Sequence, residues 1–587
     1  MSRSPSPGSA RTSFQPKSRS LKRKKQRRWR MLLLLFLGAA LGAAVYLYPG
    51  FLPAHWGDDT VLVIDNKVLG EDLAVVEDRE IYLHVSPLKE YLDPHFYWDE
   101  EEETAVITTR DRVIHMQSEE LTAEVNMEPL ELEFPLKEKN EDLFLPLVFL
   151  SDFYEIEVEH LSGTDTVVVD RLEEEGYRGK VTSSGARLRE GPGIREATLE
   201  VMEEGDEVRV EEDEEGWTVV RSESGKVGYL QRDDYSITGP YHVEDREGGA
   251  FPGEREEEVT PDPPDHPINL VWEFAYLEVD PDGIGEMPPV NVVSPTWFHL
   301  KNEEGDIRNM ADPEYVDWAH ERGYQVWGLV TNDFDPELTE ELLTSTDRRK
   351  RFIRQLLAHA RLYDLDGLNI DFENFHYRLR DEFTQFVREL APLCRKEGLV
   401  LSVDVSIISR SAYWSLGYDR GALAEAADYV ALMAYDEHYA GSPVPGSVSS
   451  LPWVRESLEE VLAEVPEEKL LLGVPFYTYL WEIEYSGEDG DDIEKISSRA
   501  LGMEQIEAHL SRRGVEPEWD EEAEQYRAEF EEDGKTYKVW LEEEESMRRR
   551  IELVNEYGLA GVAAWRRGFE REEIWEEIDE VLSGYPR

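Results

Sequence analysis

Eight short runs of apolar and β-branched residues recur through the second half of this 587-residue chain, and they constrain its fold more than any other feature. Stretches with helical periodicity lie between most of these runs, which predicts repeated βα units around a parallel sheet. Eight such strands close into a (β/α)8 barrel. The predicted strands are Ile268–Phe274, Val290–Ser294, Gln325–Leu329, Gly367–Phe372, Leu399–Val405, Tyr429–Met433, Leu470–Val474 and Gly561–Ala564.

The interval between the seventh and eighth predicted strands is about 85 residues long, which is too long for one helix. It contains the alternating segments Glu482–Tyr485 and Tyr526–Trp540. Alternation of polar and apolar residues is typical of strands with one buried face. This interval resembles the small α+β insertion that many chitinase-like barrels carry at the same place, and the resemblance implies such an insertion at about residues 480–550.

The fourth predicted strand carries polar residues at every second position near its end. Asn369, Asp371 and Glu373 point to one face, because successive side chains of a strand alternate. Burial and the neighbouring Asp371 charge both raise the pKa of Glu373, so that this residue keeps its proton near neutral pH. The pattern predicts that Glu373 is a general acid. The alternative is a buried strand that ends in solvated carboxylates.

Other predicted strands also end in polar or aromatic residues. In a parallel (β/α)8 barrel the carboxyl ends of the strands meet at one face, where the active site lies. We therefore expect these strand ends to line one site. The aromatic residues have an alternative place in the hydrophobic core, and for Trp297 and Trp327 the two interpretations are equally supported. The strand-end residues are Trp272, Glu273, Trp297, Asn332, Asp333, Asp404, Met433, Tyr435, Asp436, Glu437, His438, Tyr477, Trp565 and Arg566, and Trp327 within the third strand is a further candidate.

The segment Asp366–Glu373 closely resembles the DGxDxDxE signature of glycoside hydrolase family 18, the chitinase family, with Asn369 at the first acid of the DxDxE core. Met433–Asp436 resembles the MxYD segment of that family, and Trp565 resembles its terminal tryptophan. The resemblance covers about residues 267–587 and implies an α/β fold, a TIM barrel whose fourth strand carries the signature. It also implies a retaining mechanism in which the acetamido group of the substrate is the nucleophile. Neither a cofactor nor a metal is implied.

The resemblance implies roles for three catalytic residues. Glu373 would protonate the leaving oxygen and afterwards deprotonate the incoming water. Asp371 would hold the acetamido N–H of the reacting sugar and stabilise the positive charge that develops. Tyr435 would donate its hydroxyl hydrogen to the acetamido oxygen.

The resemblance also implies supporting and substrate-binding residues. Asn369, which we expect to donate a hydrogen bond to Asp371, would act with Asp436 and Asp366 as a supporting polar group. Trp565 would form the floor under the reacting sugar, because apolar sugar faces stack well on a large aromatic surface. The other residues expected to bind substrate are Tyr477, Trp272, Trp297, Trp327, Met433 and Asn332.

Four short motifs resemble the spore and cell-wall hydrolases of Gram-positive bacteria: Val293–Trp297, Asp371–Asn374, Gly446–Val448 and Ala564–Gly568. This resemblance implies cleavage of β-1,4 linkages in an N-acetylglucosamine-containing glycan, with peptidoglycan or spore cortex as the substrate. One alternative is a chitinase. The other alternative is a catalytically silent, lectin-like member of the family, against which the presence of Glu373 argues.

The amino-terminal region has the pattern of a membrane signal. Residues 1–30 contain eleven Lys and Arg and no acidic residue, and an uncharged apolar run follows them. We expect a basic cytoplasmic tail at 1–30 and a transmembrane anchor at 31–50, with the catalytic domain outside the cell. The alternative is a cleaved signal peptide and a secreted protein.

The charge and cysteine counts exclude several kinds of partner and site. The chain carries 128 acidic and 62 basic residues, a formal net charge of −66, which excludes nucleic acid as a partner. One cysteine, Cys394, excludes an intrachain disulfide. With a single thiol and no Cys/His cluster, a metal site is not expected.

Residues 60–170 contain an internal repeat with an offset of 62. Tyr82–Leu83 corresponds to Phe144–Leu145, and each copy has the pattern strand, short helix, strand. The repeat resembles bacterial stalk domains related to the amino-terminal domain of copper amine oxidase, a non-catalytic module. We expect an α+β stalk domain at residues 58–172.

Short strands with glycine-rich turns follow the stalk, as in Ala186–Gly193 and Gly216–Val220. They resemble a bacterial Src-homology-3-like domain, a small all-β barrel, which we place at residues 177–236. Such modules bind cell-wall peptides, and the alternative is a spacer without a ligand. Residues 237–266 are rich in Pro, Gly and Glu and predict a linker before the catalytic domain at 267–587.

Overall fold

The computed structural model describes residues 29–39, 53–57, 59–77, 79–139, 142–151, 153–172, 176–214, 216–241, 267–276, 281–486 and 492–584. Residues 29–39 are helical, and the rest of the predicted tail and anchor lies outside the described residues. Within the described part of the chain, no helix is long and apolar enough to cross a membrane. The chain divides into two compact units, Met1–Leu92 with Lys139–Phe251 and Asp93–Glu138 with Pro252–Arg587.

The region of the internal repeat consists of strands and very short helices. In chain order these are β1 (Val61–Ile64), β2 (Lys67–Glu71), β3 (Ala74–Glu77), β4 (Glu80–His84), α1 (Val85–Pro87), a π-helical turn (Leu88–Leu92), β5 (Tyr97–Asp99), β6 (Thr104–Thr108), β7 (Val113–Gln117), β8 (Thr122–Val125), β9 (Glu128–Glu131), β10 (Lys137–Lys139), β11 (Asp142–Pro146), α2 (Leu147–Leu150), β12 (Ile156–Leu161) and β13 (Thr166–Arg171). The repeat has the predicted order: β4, α1 and β6 in the first copy correspond to β11, α2 and β13 in the second.

The stalk domain predicted at 58–172 contributes to both compact units. In the first unit, the strands form two four-stranded sheets of order β12-β13-β1-β2 and β10-β11-β4-β3. In β4 and β11, Leu83 lies opposite Leu145, so the two copies of the repeat pair directly. In the second unit, β5 to β9 form an antiparallel five-stranded sheet in sequence order.

The next segment folds as an all-β domain in the first unit. Its strands are β14 (Gly176–Val181), β15 (Ala186–Arg189), β16 (Thr198–Met202), β17 (Glu207–Glu214), β18 (Trp217–Ser222), β19 (Val227–Gln231) and β20 (Tyr235–Tyr241). They form one antiparallel sheet of order β16-β15-β19-β18-β17-β14-β20. Because β20 pairs with β14 up to Tyr241, the predicted linker begins too early, at 237. Residues 242–266 lie outside the described residues.

Eight parallel strands close into the predicted barrel in the second unit. They are β21 (Ile268–Glu273), β22 (Val292–Leu300), β24 (Gln325–Thr331), β25 (Gly367–Asp371), β26 (Val400–Ser406), β27 (Tyr429–Met433), β28 (Leu470–Pro475) and β34 (Gly561–Trp565), and the short β23 (Ile307–Asn309) pairs antiparallel with β22. Pairing of β21 with both β22 and β34 completes the circle. The carboxyl ends of all eight strands therefore lie at one mouth.

Helices surround the barrel, and an antiparallel sheet lies between its last two strands. The helices are α3 (Pro313–Glu321), α4 (Pro336–Leu343), α5 (Thr346–Tyr363), α6 (Arg380–Lys396), α7 (Arg420–Ala426), α8 (Leu451–Val461), α9 (Met503–Ser511), α10 (Glu544–Tyr557) and α11 (Ile574–Leu582). The inserted strands are β29 (Tyr477–Ser486), β30 (Asp492–Gly502), β31 (Glu518–Asp520), β32 (Gln525–Glu532) and β33 (Lys535–Trp540), in the order β30-β29-β33-β32-β31. With α9, they form the expected α+β insertion.

The sheet β5–β9 packs against the barrel helices α5 and α6. Val106 and Val113 are fully buried in the same hydrophobic cluster as Phe352 of α5 and Phe386 of α6. At the start of α5, Asp99 Oδ2 accepts hydrogen bonds from the Thr346 backbone N–H (3.0 Å) and hydroxyl (2.7 Å). The sheet is thus part of the folded core of the catalytic unit.

A buried ionic group lies between this sheet and the helices. Arg349 of α5 donates to Glu389 Oε1 of α6 at 3.0 Å, and His115 Nε2 of β7 lies 3.6 Å from Glu389 Oε2. Burial opposes the ionisation of Glu389, but the positive charge of Arg349 and the contact with His115 outweigh it and lower its pKa to about 2. Glu389 is therefore ionised across the physiological pH range.

Replacement of this carboxylate gives a test of stability. Its folded-state pKa lies below the ordinary 4.5, so ionised Glu389 stabilises the fold above pH 4.5, and the contribution is lost as the pH falls towards 2. We expect Glu389→Gln to lower the free energy of unfolding of the full chain by about 3 kcal/mol at pH 7. The deficit should shrink at pH 3.5, and Glu397→Gln at the exposed end of α6 should cost less than about 0.5 kcal/mol. Denaturant titration measures both, and an equal deficit at the two pH values would contradict the argument.

Candidate active site

The end of β25 brings two carboxyl groups to the mouth of the barrel. Asp371 is the last residue of β25, and Glu373 follows two positions later. Burial raises the pKa of Asp371 to about 7. Burial, and then the charges of Asp371, Asp404 and Asp436, raise the pKa of Glu373 well above its ordinary value. Glu373 therefore holds a proton at neutral pH that it can donate to a bound ligand.

Asn369 lies one layer deeper in the barrel and joins four strands. Its Oδ1 accepts hydrogen bonds from Trp272 Nε1 (2.8 Å) and Ser294 Oγ (3.1 Å). Its Nδ2 donates to Ser402 Oγ (3.0 Å) and Asp404 Oδ1 (2.7 Å). The side chain is fully buried, and both its oxygen and its amide hydrogens have partners. Asn369 is thus a fixed element of the site floor.

The predicted hydrogen bond from Asn369 to Asp371 is wrong, because both amide hydrogens of Asn369 are taken by Ser402 and Asp404. Asp371 Oδ1 is buried, and no group in the described part of the chain bonds to it. A buried oxygen without a partner costs free energy that a hydrogen bond from a ligand recovers. Asp371 is therefore prepared to accept a hydrogen from a substrate N–H or O–H.

A carboxyl group at position 369 should change the pH dependence of the site. Asn369→Asp removes the donor to Asp404 and adds a titrating group near Asp371 and Glu373. An extra negative charge raises the pKa of both catalytic carboxyls, so both limbs of the profile of kcat/KM against pH should move to higher pH. Asn302→Asp is the matched control, because it adds the same charge on the surface, next to Asp306. It should leave the profile of kcat/KM against pH unchanged. If the pH profile of Asn369→Asp does not shift, position 369 is not coupled to the titration of Asp371 and Glu373.

Asn332 positions Glu373 through its backbone. Its Nδ2 donates to the Glu373 carbonyl at 2.6 Å, and its Oδ1 accepts from the Glu373 N–H at 3.1 Å. A further hydrogen bond of 2.8 Å goes to Thr339 Oγ1 of α4. The side chain is fully buried, so the predicted contact between Asn332 and substrate is wrong. Its polar groups are instead used to fix the loop that carries Glu373.

Tyr435 lies at the mouth beside the two carboxyl groups. It follows β27, which ends at the buried Met433. Burial, and then the charges of Glu373 and Asp371, raise the pKa of Tyr435 well above its ordinary value. The phenol therefore keeps its proton, and its O–H is available as a donor at the position predicted from sequence.

Asp436 is held by two tyrosines of the insertion. Tyr477 donates its hydroxyl hydrogen to Asp436 Oδ1 at 2.6 Å, and Tyr479 donates to the same oxygen at 3.3 Å. The rings of Tyr477 and Tyr435 meet edge to face, with centroids 6.3 Å apart. Tyr477 thus reaches the predicted site, but its hydroxyl is used to orient Asp436.

Trp565 is the predicted floor residue that keeps an accessible surface. It is partly buried, and its ring lies 6.2 Å from that of Trp272 at 57°. It also packs in one cluster with Tyr435 and Tyr477. The ring is therefore placed next to Tyr435 at the end of β34, where stacking under a sugar is sterically available.

Three predicted substrate-binding tryptophans lie in the core instead. Trp272, Trp297 and Trp327 expose 1%, 2% and 0% of their surface. Trp327 stacks on Tyr429 inside the barrel, with ring centroids 5.8 Å apart, and Trp297 meets Tyr315 of α3 edge to face. These predictions are wrong, because the residues face the barrel interior below the mouth or the layer between strands and helices.

Asp366 lies at the opposite end of β25 from the catalytic pair. Asp366 Oδ2 accepts hydrogen bonds from the Val326 N–H (2.7 Å) and His320 Nε2 (2.9 Å). Asp371 lies five positions further along the strand, roughly 16 Å away. The prediction that Asp366 supports the catalytic groups is therefore wrong, and it instead ties the start of β25 to its neighbours.

Two contacts at the site are not predicted by the sequence patterns. Asp404 was recognised as a strand-end residue without a role, yet it is buried beside Asn369. The alternation of Ser402 and Asp404 in β26 repeats that of the polar residues in β25 and is the signal that finds it. Tyr418 donates to the Phe372 carbonyl at 2.7 Å, and no local pattern predicts this contact across 46 residues.

Comparison with known proteins identifies two parts of the chain. Residues 333–570 match the family described as glycosyl hydrolases family 18, and residues 63–169 match the copper amine oxidase N-terminal domain. The second match confirms the resemblance of the repeat.

Three relatives come from Bacillus subtilis (strain 168). The uncharacterized glycosylase YvbX is 26% identical over 298 residues, which cover 49% of this chain and 83% of that protein. The putative sporulation-specific glycosylase YdhD is 30% identical over 275 residues, 46% of this chain and 64% of that protein. The cortical fragment-lytic enzyme is 26% identical over 254 residues, 43% of this chain and 57% of that protein. The chain thus spans less than two thirds of two of these relatives. Its barrel thus carries the match to the glycosyl hydrolases of family 18, and its relatives include glycosylases, so the barrel is identified as a glycosidase domain.

Proposed function

We propose that this protein hydrolyses β-1,4 linkages of an N-acetylglucosamine-containing glycan by substrate-assisted catalysis with retention of configuration. The observation that carries the proposal is the pair at the end of β25. Glu373 has a raised pKa, and Asp371 offers a buried oxygen without a partner. A general acid requires a raised pKa, and an acceptor for an acetamido N–H requires a free oxygen.

The proposed reaction has two steps. In the first, the acetamido oxygen of the bound sugar attacks its own C1, the bond from C1 to the leaving oxygen breaks, and Glu373 gives its proton to that oxygen. Asp371 accepts the acetamido N–H, and Tyr435 donates to the acetamido oxygen. In the second step, Glu373 removes a proton from water as the water attacks C1 and reopens the oxazolinium ring, which restores the acetamido group and the acid.

Peptidoglycan or spore cortex is the substrate that we propose. Two relatives are named a sporulation-specific glycosylase and a cortical fragment-lytic enzyme, which supports a cell-wall polymer. We further propose that residues 31–50 anchor the protein in the cell membrane with the barrel outside, and that residues 177–236 bind the wall. These elements would keep the barrel close to an insoluble substrate.

The proposal is tested by the products. The full chain is incubated with purified peptidoglycan, spore cortex and chitin, and new reducing ends are identified by mass spectrometry. N-acetylglucosamine at the new reducing ends of peptidoglycan or cortex is the expected result. Release from chitin alone would assign a chitinase, and binding to a glycan without new reducing ends would assign a lectin.

A further inference from the structure

Arg566 is a fixed cation at the mouth of the barrel. It follows Trp565 directly and is partly buried. Its guanidinium group lies 4.9 Å from the ring centroid of Phe274 and 3.9 Å from that of Phe569. Contact with two aromatic rings restricts the orientation of the guanidinium plane. The position of its charge is thus set before any ligand arrives.

Other arginines near this mouth are paired, and Arg566 is not. Arg567 Nη2 donates to Glu273 Oε1 at 2.9 Å, and Arg308 lies 3.0 Å from Asp333. Arg566 donates only a long hydrogen bond of 3.4 Å to the Arg567 carbonyl, and in the described residues no carboxylate forms an ion pair with it. Burial without such a partner lowers its pKa. In a chain of net charge −66, its N–H groups remain available to an external anion.

The free N–H groups lie close to the proposed site. Phe569, which contacts the guanidinium, lies 6.5 Å from Tyr477, centroid to centroid. Tyr477 in turn binds Asp436 and meets the ring of Tyr435. Because Arg566 directly follows Trp565, a glycan bound on Trp565 would extend along the side of the mouth where the guanidinium group lies.

We propose that Arg566 binds a carboxylate carried by the glycan strand on a sugar adjacent to the cleaved residue. This inference rests on the proposed function and narrows its substrate class to glycans with a free carboxylate on an ether substituent of alternate sugars, as in peptidoglycan strands whose lactyl groups carry no peptide stem. Chitin has no such group. Arginine suits this role because its planar fork binds both carboxylate oxygens. The acidic surface repels an anionic strand, which makes a specific cation necessary for its binding.

Two matched substrates test the proposal. One is a tetrasaccharide of alternating N-acetylglucosamine and N-acetylmuramic acid with free lactyl carboxylates, and the other is the same compound with the carboxylates converted to methyl amides. We expect the full chain to prefer the carboxylate form by about tenfold in kcat/KM. Arg566→Gln should reduce this preference to near unity, and Arg566→Lys should retain part of it. Arg351→Gln, which removes an equal charge paired with Asp306 on the surface, should keep the full preference.

The outcomes separate the two proposals. Equal kcat/KM for both substrates in the unaltered chain, or an Arg566→Gln preference within twofold of the unaltered chain, overturns the role of Arg566 and leaves the glycosidase proposal standing. Cleavage of neither substrate and of no wall polymer overturns both. If Arg566→Gln does not fold, the ratio of kcat/KM for the two substrates is compared between the unaltered chain and Arg566→Lys. That ratio still tests the role of Arg566.

Discussion

Glu373→Gln is expected to lower kcat by about 10²- to 10⁴-fold and to leave glycan binding intact. The amide keeps the shape of the acid and its backbone contacts with Asn332, but it has no proton to give to the leaving oxygen. Burial and the neighbouring carboxylates are what keep that proton on Glu373 at neutral pH. Reducing-end release from peptidoglycan measures kcat, and sedimentation with the insoluble polymer measures binding.

Glu397→Gln, at the exposed end of α6, serves as the control for the loss of one negative charge. It should keep the activity of the unaltered protein, because it precedes the amino-terminal end of β26, and the barrel mouth lies at the other end of that strand. Glu373→Gln activity within threefold of the unaltered protein would exclude Glu373 as the general acid. A loss of both binding and activity would instead indicate a disturbed fold.

A glycan whose cleaved sugar carries a free amine should not be hydrolysed. The proposed nucleophile is the acetamido oxygen of the substrate, and removal of the acetyl group removes it. The expected effect is a loss of detectable turnover, since Asp371 would then face an ammonium group with no neighbouring oxygen to attack C1. Mass spectrometry of a partially de-N-acetylated polymer measures which linkages persist.

A thiazoline analogue of the cyclic intermediate gives the complementary test. Its ring nitrogen, once protonated, presents an N–H to the buried Asp371 oxygen, and its sulfur takes the place of the acetamido oxygen to which Tyr435 is proposed to donate. It should therefore inhibit more strongly than substrate binds. Asp371→Ala should weaken this inhibition. Cleavage at free-amine sugars at a rate comparable to acetylated ones, together with no thiazoline inhibition, would overturn the roles of Asp371 and Tyr435.

The alternation of side chains along a strand predicts correctly which residues of β25 face the site. It places Asn369, Asp371 and Glu373 on one face of β25, and the structure has both carboxyls at the mouth. It does not give depth along the strand. Asn369 is one layer lower than Asp371, and this difference of two residues changes its partners from Asp371 to Asp404.

The predictions that Trp272, Trp297 and Trp327 bind substrate were wrong for a related reason. A tryptophan in a parallel strand is equally compatible with the barrel interior, the outer layer and the mouth, because all three are apolar. Trp327 pairs in register with Gly367 while Thr331 pairs with Asp371, so Trp327 lies four residues below the mouth. Register between strands distant in sequence is set by closure of the whole barrel, which a local pattern does not contain.

The position of the sheet β5–β9 has a consequence for how the chain can be divided. A cut within residues 242–266 severs the only covalent path between residue 241 and the barrel. The amino-terminal fragment would nevertheless carry residues 93–138, whose Val106, Val113 and Asp99 are bound into the catalytic core. The two fragments should therefore elute together under native conditions and separate only in denaturant. A shortened protein that begins after residue 266 would lack the sheet β5–β9, whose side chains are part of the hydrophobic core of the barrel unit.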